Sequence, residues 1–398
     1  MAFLDRLTAK FTRKSVGLTD PAAFPIFGIT PTLTGQTVSA ANAMRVPAVA
    51  CAVSLISETV GTLPVKLFGK ADKAPVKDHP GFDLVHGEAN EWTSAEELRT
   101  QLTADALLSG NGYALVVRTG TEAPAELHRL APELVQVRFE ADGEPFYLVN
   151  LPSGQRRFAY PDILHVSAFR GVSPITQGRE AIGLAMAFEA HIARIFANGA
   201  QPGGIITTPK RLDEEAKRNL KTSWTDTHSG PKAGGVALLD EGMAYQQVTM
   251  TLTDAQFAEN RLEQIREIAR VFRVPPTMLF ELTRGTWSNT EEMARQFLQV
   301  TLKPWLTAWA WAYARCLLTP KERRALYFEF VTEDLLTTTH ADRAEAYSKF
   351  RSMGVMTANE VRAGLNLTPR HDGDALQNPY TTTGAAPAPA KEEPPSDD

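Results

Sequence analysis

An α+β fold is predicted for this chain of 398 residues, and three observations predict it. Residues 45–170 repeat a helix-then-strand unit and then run into short alternating strands. From residue 174 the pattern changes to long helices, two of which bracket an insert at 200–250. Three helix starts carry the signature of a capping box, Ser94 with Glu97, Ser288 with Glu291 and Thr357 with Glu360.

Residues 1–40 are rich in Thr, Pro and Gly, show little period and read as an arm. In "RVPAVACAVSLISETVGTLPVKLF", Val49, Val53, Ile56 and Val60 recur at three- and four-residue spacing, one face of a helix that Gly61 should end. "LPVKLF" alternates and reads as a strand. Ser94 opens a second helix, "GNG" at 110–112 breaks it, and "YALVVR" is a strand. The stretch "AELHRLAPELVQVRFEADGEPFYLVN" reads as strand, turn, strand around Asp142-Gly143, a pair that turns favour because Gly accepts positive φ. "RRFAYPDILHVSAF" reads as one further strand pair.

One long helix is expected over 174–198, with Pro174 at its first position and Gly199 closing it. Its small residues, among them Ala181, Gly183, Ala185, Ala187, Ala190 and Ala193, lie on several faces and permit close helix approach all round. The insert reads as a strand at 205–207, a charged helix at 213–225 and two more strands. A second long helix follows, with Ile265, Ile268, Ala269 and Phe272 on one face, and stops at Pro275-Pro276. After a short polar loop the capping box at Ser288 restarts a helix through residue 319, which Pro304 should kink. A strand, a helix closed by Gly354 and a short helix begun at Thr357 complete the ordered part, and "TTTGAAPAPAKEEPPSDD" has the composition of a disordered tail.

Composition narrows the function. Hydrophobic residues make up 43% of the chain, enough for a sizeable core. The net charge of −5 is not the balance of a protein that grips nucleic acid through many phosphates. Cys51 and Cys316 are far apart and read as two buried free thiols. No apolar run is long enough to span a membrane, and the basic start "MAFLDRLTAKFTRKS" reads as an arm rather than a leader. Neither a phosphate-binding loop nor a nucleophile-elbow or zinc-protease motif is present. The eight histidines are scattered; His165, among apolar residues, reads as a core histidine. "HDGD" at 371–374 reads as a solvated loop, Glu291 and Glu292 as capping residues, and Trp305 and Trp309 as packing residues. No catalytic residue, metal site or cofactor is expected. An enzyme using Glu291 or Asp374, or a DNA-binding adaptor using the helix "PKRLDEEAKRNLKTSW", are competing readings that no spacing supports.

The order of these elements resembles the short portal proteins of tailed double-stranded DNA phages and of gene transfer agents. The resemblance covers residues 45–374. It is carried by "VACAVSLISETVGTLPVKLF", "LLSGNGYALVVR", "DILHVSAFRGVSPI", "FANGAQPGGII", "IARVFRVPP", "WSNTEEMARQFLQVTLKPW" and "MTANEVRAGLNLTP" followed by "GD", in that order. The chain departs from the pattern at Arg273, where many members carry Gly.

That resemblance implies a portal fold: an N-terminal arm (1–40), an α+β wing (41–172), a first stem helix (173–199), a small α/β clip (200–250), a second stem helix (251–274), a tunnel loop (275–290), a long kinked helix with a return strand to the wing (291–335), a helical crown (336–375) and a tail (376–398). It implies a homo-oligomeric ring, a dodecamer, that forms a DNA channel at one capsid vertex of a virion or phage-like particle, assembled in the cytoplasm of a bacterial host. The implied partners are the major capsid protein, the large subunit of the terminase, the head–tail adaptor and, transiently, double-stranded DNA; no membrane is involved. Thr283, Arg284, Gly285, Thr286, Trp287, Ser288 and Asn289 would then form the tunnel loop. Arg284 would contact phosphate, and Trp287 would serve as loop anchor or channel contact. Lys210, Arg211, Lys217, Lys221 and Trp224 would contribute to a partner-facing or inter-subunit clip. A ring of a dozen such chains would carry a net charge of roughly −60, which favours passage of DNA over adhesion.

Overall fold

Helix α1 (Pro47–Thr62) turns Val49, Val53, Ile56 and Val60 to one side, and all four are buried. Each such side chain contributes about 1.5–3 kcal/mol on leaving water. The surface they meet is helix α3 (Ala95–Ser109), through Leu98, Leu102 and Ala106. In a computed structural model the described residues are 31–120, 123–197, 204–209, 212–228, 242–247, 254–282, 290–332, 340–365 and 367–376. They fall into two units, Met1–Val331 and Thr332–Asp398.

Gly61 does not end α1; the helix passes through it to Thr62. Its role is close approach, since a Cβ there would lie 1.9 Å from Thr100 Oγ1 and 3.0 Å from the Glu96 carbonyl. Between the two helices Arg99 is buried, and its guanidinium donates to the Gly61 carbonyl (2.7 and 3.1 Å) and to that of Val85 (2.6 Å). A charge so placed serves as a C-terminal cap for α1, whose last carbonyls have no partner within the helix.

Strand β1 (Val65–Gly69) follows α1, and the chain continues through α2 (Pro80–His86), the short antiparallel pair β2 (Glu88–Asn90) and β3 (Thr93–Ser94), and α3. Ser94 caps α3 by accepting from the Glu97 amide at 3.0 Å, while the Glu97 side chain accepts from Gln101 instead of reaching back to Ser94. Gly110, at φ 99, ends α3 as expected.

Six strands then build two three-stranded antiparallel sheets. One has the order β5 (Pro124–Leu130), β4 (Asn111–Arg118), β9 (Ile163–Ser167); the other has β6 (Val135–Phe139), β7 (Pro145–Leu151), β8 (Gly154–Ala159). Two readings of the sequence change here. A short helical turn at Pro132–Leu134 splits the first expected strand into β5 and β6, which enter different sheets. β8 and β9 do not pair with each other; β8 pairs with β7 and β9 with β4. The sheets share a core in which Tyr113, Leu130 and Ile163 meet Val135, Tyr147 and Val149.

The long helix expected at 174–198 is two helices, α4 (Pro174–Gln177) and α5 (Arg179–Ala197). They break at Gly178, where a Cβ would lie 2.7 Å from Val271. Next come β10 (Gly204–Thr207), α6 (Glu214–His228), β11 (Ala244–Gln247), which pairs with β10, and α7 (Asp254–Phe272), which packs on α5. The expected strand at 236–240 and the closing Gly199 lie outside the described residues.

The chain resumes at α8 (Thr290–Gln296), widens into a π-helical turn at Phe297–Leu302 and continues as α9 (Lys303–Leu317). The disturbance assigned to Pro304 thus precedes it. Proline cannot donate to the carbonyl four residues earlier, and a wider turn relieves its ring of that clash. Trp309 is fully buried on α9 and its indole donates to Thr103 Oγ1 at 3.0 Å. Trp311 is exposed. β12 (Leu326–Phe330) pairs antiparallel with β1, Val65 opposite Phe330, so the end of this unit closes on its beginning. Both cysteines are free; Cys316 is buried but Cys51 is only partly so. The second unit holds α10 (His340–Ser352) and α11 (Ala358–Gly364), whose capping box between Thr357 and Glu360 is complete in both directions.

Candidate functional site

The polar loop between α7 and α8 leaves from a strongly specified base. Arg273 takes φ 58 at the end of α7, a left-handed conformation that glycine adopts freely. Pro275 and Pro276 stop the helix, a single turn follows at Pro276–Leu279, and Phe280 turns the chain left-handed again at φ 60. Phe280 and Leu282 are exposed, but Glu281 between them is only 5% exposed.

Three ties hold this base. Glu281 accepts from Arg266 of α7 at 3.2 Å. Thr277 Oγ1 reaches Met293 Sδ of α8 at 3.6 Å, which joins the outgoing limb to the returning one. Thr301, in the π-helical turn, donates through its hydroxyl to the Arg273 carbonyl. Arg266 also pairs with Glu263 at 3.2 Å, and Arg270 bridges Glu263 and Glu267, so one charged network runs along α7 to the loop. The hydrogen bond to Glu263, and after it the bond to Glu281, push the Arg266 pKa up and fix its charge.

Beside the base lies a groove of about 290 Å³ lined by Pro47 and Cys51 of α1, Ala185 and Phe188 of α5, and Gln264 of α7, with Phe280 at its rim. The small residues of α5 divide into two sets. Gly183 is covered by Thr32, while the Leu33 amide donates to Glu180 at 2.9 Å, so residues 31–36 are strapped to α5. Ala190 and Ala193 are left exposed.

In the insert, Asp213 caps α6 by accepting from the Ala216 amide at 2.7 Å, and Lys217 pairs with Glu214 at 2.6 Å. Trp224 stacks on Tyr245 of β11, centroids 5.1 Å apart, and fastens α6 to the two-stranded sheet. Of the residues singled out in the sequence, Lys217, Lys221 and Trp224 therefore share one helix. Lys210, Arg211 and the whole of Thr283, Arg284, Gly285, Thr286, Trp287, Ser288 and Asn289 lie outside the described residues. The ion pair under the loop was missed. Its one signal was a lone acid, Glu281, in the apolar run "TMLFEL", which needs a partner once buried. Arg266 lies 15 residues upstream, with nothing in its local sequence to match the two.

His165 is a packed polar residue. Its Nε2–H donates to Asn111 Oδ1 (2.9 Å), its Nδ1 accepts from the Tyr147 hydroxyl (3.1 Å), and the ring stacks on Tyr113. Burial, then the charge of Arg315, lowers its pKa to about 4. Asp374 of "HDGD" accepts from Asn359 at 2.8 Å.

A subunit of mixed helices and sheets, with two packed helices leading to a pinned loop, has counterparts among solved structures. A crystallised HK97-family phage portal protein from Corynebacterium diphtheriae shares the fold at TM-score 0.60 and 15% identity, over 78% of this chain and 99% of that one. The neck of a native gene transfer agent particle, computed with C12 symmetry, matches at TM-score 0.53 and 25% identity, over 83% of this chain and 94% of that one. The probable portal protein of Streptomyces phage phiC31 is 30% identical, over 89% of this chain and 81% of that protein. This chain belongs to the phage portal protein family, whose family model matches residues 47–366. It is a portal protein with the α+β portal fold.

Proposed function

We propose that this portal protein assembles as a closed ring of identical subunits around a DNA channel at one vertex of a phage or phage-like capsid. Two relations support the ring: family membership, and the likeness to a particle neck computed with twelve-fold symmetry. The exposed small side chains of α5, Ala190 and Ala193, suit close packing of helices from successive copies, a heterologous contact that closes by rotation. In this reading residues 41–172 form the wing, α5 and α7 belong to the stem, 200–250 the clip and 336–375 the crown.

The loop base carries the reading. Residues 283–289 depart from and return to a framework held by an ion pair, a proline pair and two side-chain ties, with Phe280 and Leu282 exposed at its edge. A pinned base lets the loop touch a moving duplex while the stem keeps its packing. Arg284 then supplies one transient phosphate contact per subunit, set against the net negative charge of each chain, −5. The clip, with Lys210, Arg211, Lys217, Lys221 and Trp224, faces the terminase motor and later the head–tail adaptor, and the wing faces the major capsid protein. The role is structural throughout, with no catalytic step, metal or cofactor.

Deletion of residues 284–288 tests the placement of the loop. Rings of unchanged mass are expected, with loss of DNA packaging or of retention of the packaged genome. Loss of the ring itself would refute a channel position for this loop, because a channel-facing segment carries none of the contacts between subunits.

A further inference from the structure

A cavity in the first unit takes no part in the proposed channel. It measures about 560 Å³ and lies between the turn at Tyr160–Asp162, the end of α9 and the short helix at Glu322–Ala325. Three arginines line it, Arg118, Arg315 and Arg323, together with two carboxylates, Asp162 and Glu322. Both carboxylates are engaged. Asp162 accepts from Arg118 at 3.3 Å, and Arg118 also donates to the carbonyls of Pro161 (3.0 Å) and Cys316 (2.8 Å). Glu322 accepts from the amide and the hydroxyl of Thr319, both at 2.8 Å, and pairs with His79 at 3.6 Å.

The other two arginines are not matched. Arg315, partly buried on α9, donates to the Ile163 carbonyl at 3.1 Å. Its Nε is buried without an acceptor, and no carboxylate pairs with it among the described residues. Arg323 makes its hydrogen bonds through the backbone: its amide donates to the Thr319 carbonyl (3.0 Å) and its carbonyl accepts from Lys70 (2.7 Å). Its guanidinium has no partner among the described residues. A guanidinium drawn away from water is costly unless a negative charge meets it. Its planar fork matches the oxygens of a phosphate.

We propose that this cavity binds a small oxyanion of the phosphate class, held by Arg315 and Arg323. Phosphate offers oxygens to both guanidiniums at once, which a single carboxylate does less well. A duplex is too wide to enter a cavity of this size, so the ligand comes from solution and not from the DNA backbone. Pro80, Pro124, Pro161 and Pro320 stand in the walls and hold the site in shape, since proline fixes its own backbone. A bound anion would join the end of α9 to the helix that feeds β12, the strand that closes the unit on β1. The site belongs to one subunit and does not depend on the ring.

Two experiments on the full-length protein decide it. The first is isothermal titration with inorganic phosphate, chloride holding the ionic strength constant. One saturable site per chain is expected. Arg323→Ala should weaken it at least about tenfold. Lys321→Ala, which removes the same charge from an exposed position two residues away, should change it by less than about twofold. No saturable uptake by the parent, or equal weakening by both variants, would overturn the proposal. The second is thermal unfolding with and without phosphate. At about ten times the dissociation constant the ratio of folded to unfolded parent should rise about elevenfold. Arg315→Gln and Arg323→Ala should lose that gain. A gain of the same size in both variants would reduce it to a general salt effect and overturn the proposal. Arg323→Ala leaves the backbone bonds in place, so it remains decisive if Arg315→Gln does not fold.

Discussion

Gly110 and Gly143 both hold positive φ, 99 and 90 degrees, and alanine at either place must adopt a left-handed backbone. That conformation costs a residue with a Cβ about 1–2 kcal/mol. Their surroundings differ. At Gly143, in the turn between β6 and β7, a Cβ would meet nothing within 4 Å. At Gly110 it would lie 2.3 Å from the Gly171 carbonyl oxygen and 3.1 Å from the Ser173 amide. Both are backbone atoms and cannot rotate away; overlap of this kind costs roughly 1–3 kcal/mol more. Gly143→Ala should therefore cost about 1–2 kcal/mol and Gly110→Ala about 2–5 kcal/mol. Ala168 donates to the Gly110 carbonyl at 2.9 Å, so the damage would reach the segment that feeds α4 and α5. Urea unfolding at fixed protein concentration reads the difference. With a slope near 3 kcal/mol per molar, the midpoint falls by about 0.3–0.7 M for Gly143→Ala and about 0.7–1.7 M for Gly110→Ala. Equal shifts for the two variants would refute the argument from close approach and leave only the backbone conformation.

Three other perturbations test separate parts of the molecule. Trp309→Phe removes the indole donor to Thr103 and leaves a fully buried hydroxyl without it; a loss of about 2–4 kcal/mol is expected in the same urea assay. His165 has its folded pKa lowered to about 4, below the ordinary value of 6.5, so the unfolded chain binds more protons between those values. Stability from this group is full above pH 6.5 and falls as pH drops towards 4, by up to about 3 kcal/mol, and His165→Gln should flatten that part of the profile relative to the parent. At Arg273, with φ 58 and its guanidinium 5.8 Å from the Phe169 ring centroid, glycine relieves the backbone and forfeits the ring contact. Arg273→Gly should change stability by less than about 1 kcal/mol, while Arg273→Val, β-branched at positive φ, should lose at least about 2 kcal/mol by thermal denaturation.

The elements that local pattern specifies were legible in the sequence. The buried stripe of α1 follows from four apolar residues at helical spacing, and the stop at Gly110 and the turn at Gly143 from the residue that takes positive φ at least steric cost. The capping box at Thr357 has the signature of a threonine followed three residues later by an acid, although the same signature at Ser94 closes in one direction only. The family could also be read from the order of its motifs, since several weak signals in sequence are jointly specific. Tertiary structure decided what depends on partners distant in the chain. Gly61 looks like a helix end but serves the approach of Thr100. The break at Gly178 is set by Val271, and the split of β8 and β9 between two sheets by β7 and β4, which no short window contains. The burial of Glu281 could be suspected, but not its pairing with Arg266, because a salt bridge depends on where two side chains arrive and not on their separation in sequence. The exposed apolar side chains of the second unit show the same limit. Only the folded chain shows that Phe350, Met353 and Leu367 stay exposed while Asn359 is engaged by Arg370 and Asp374.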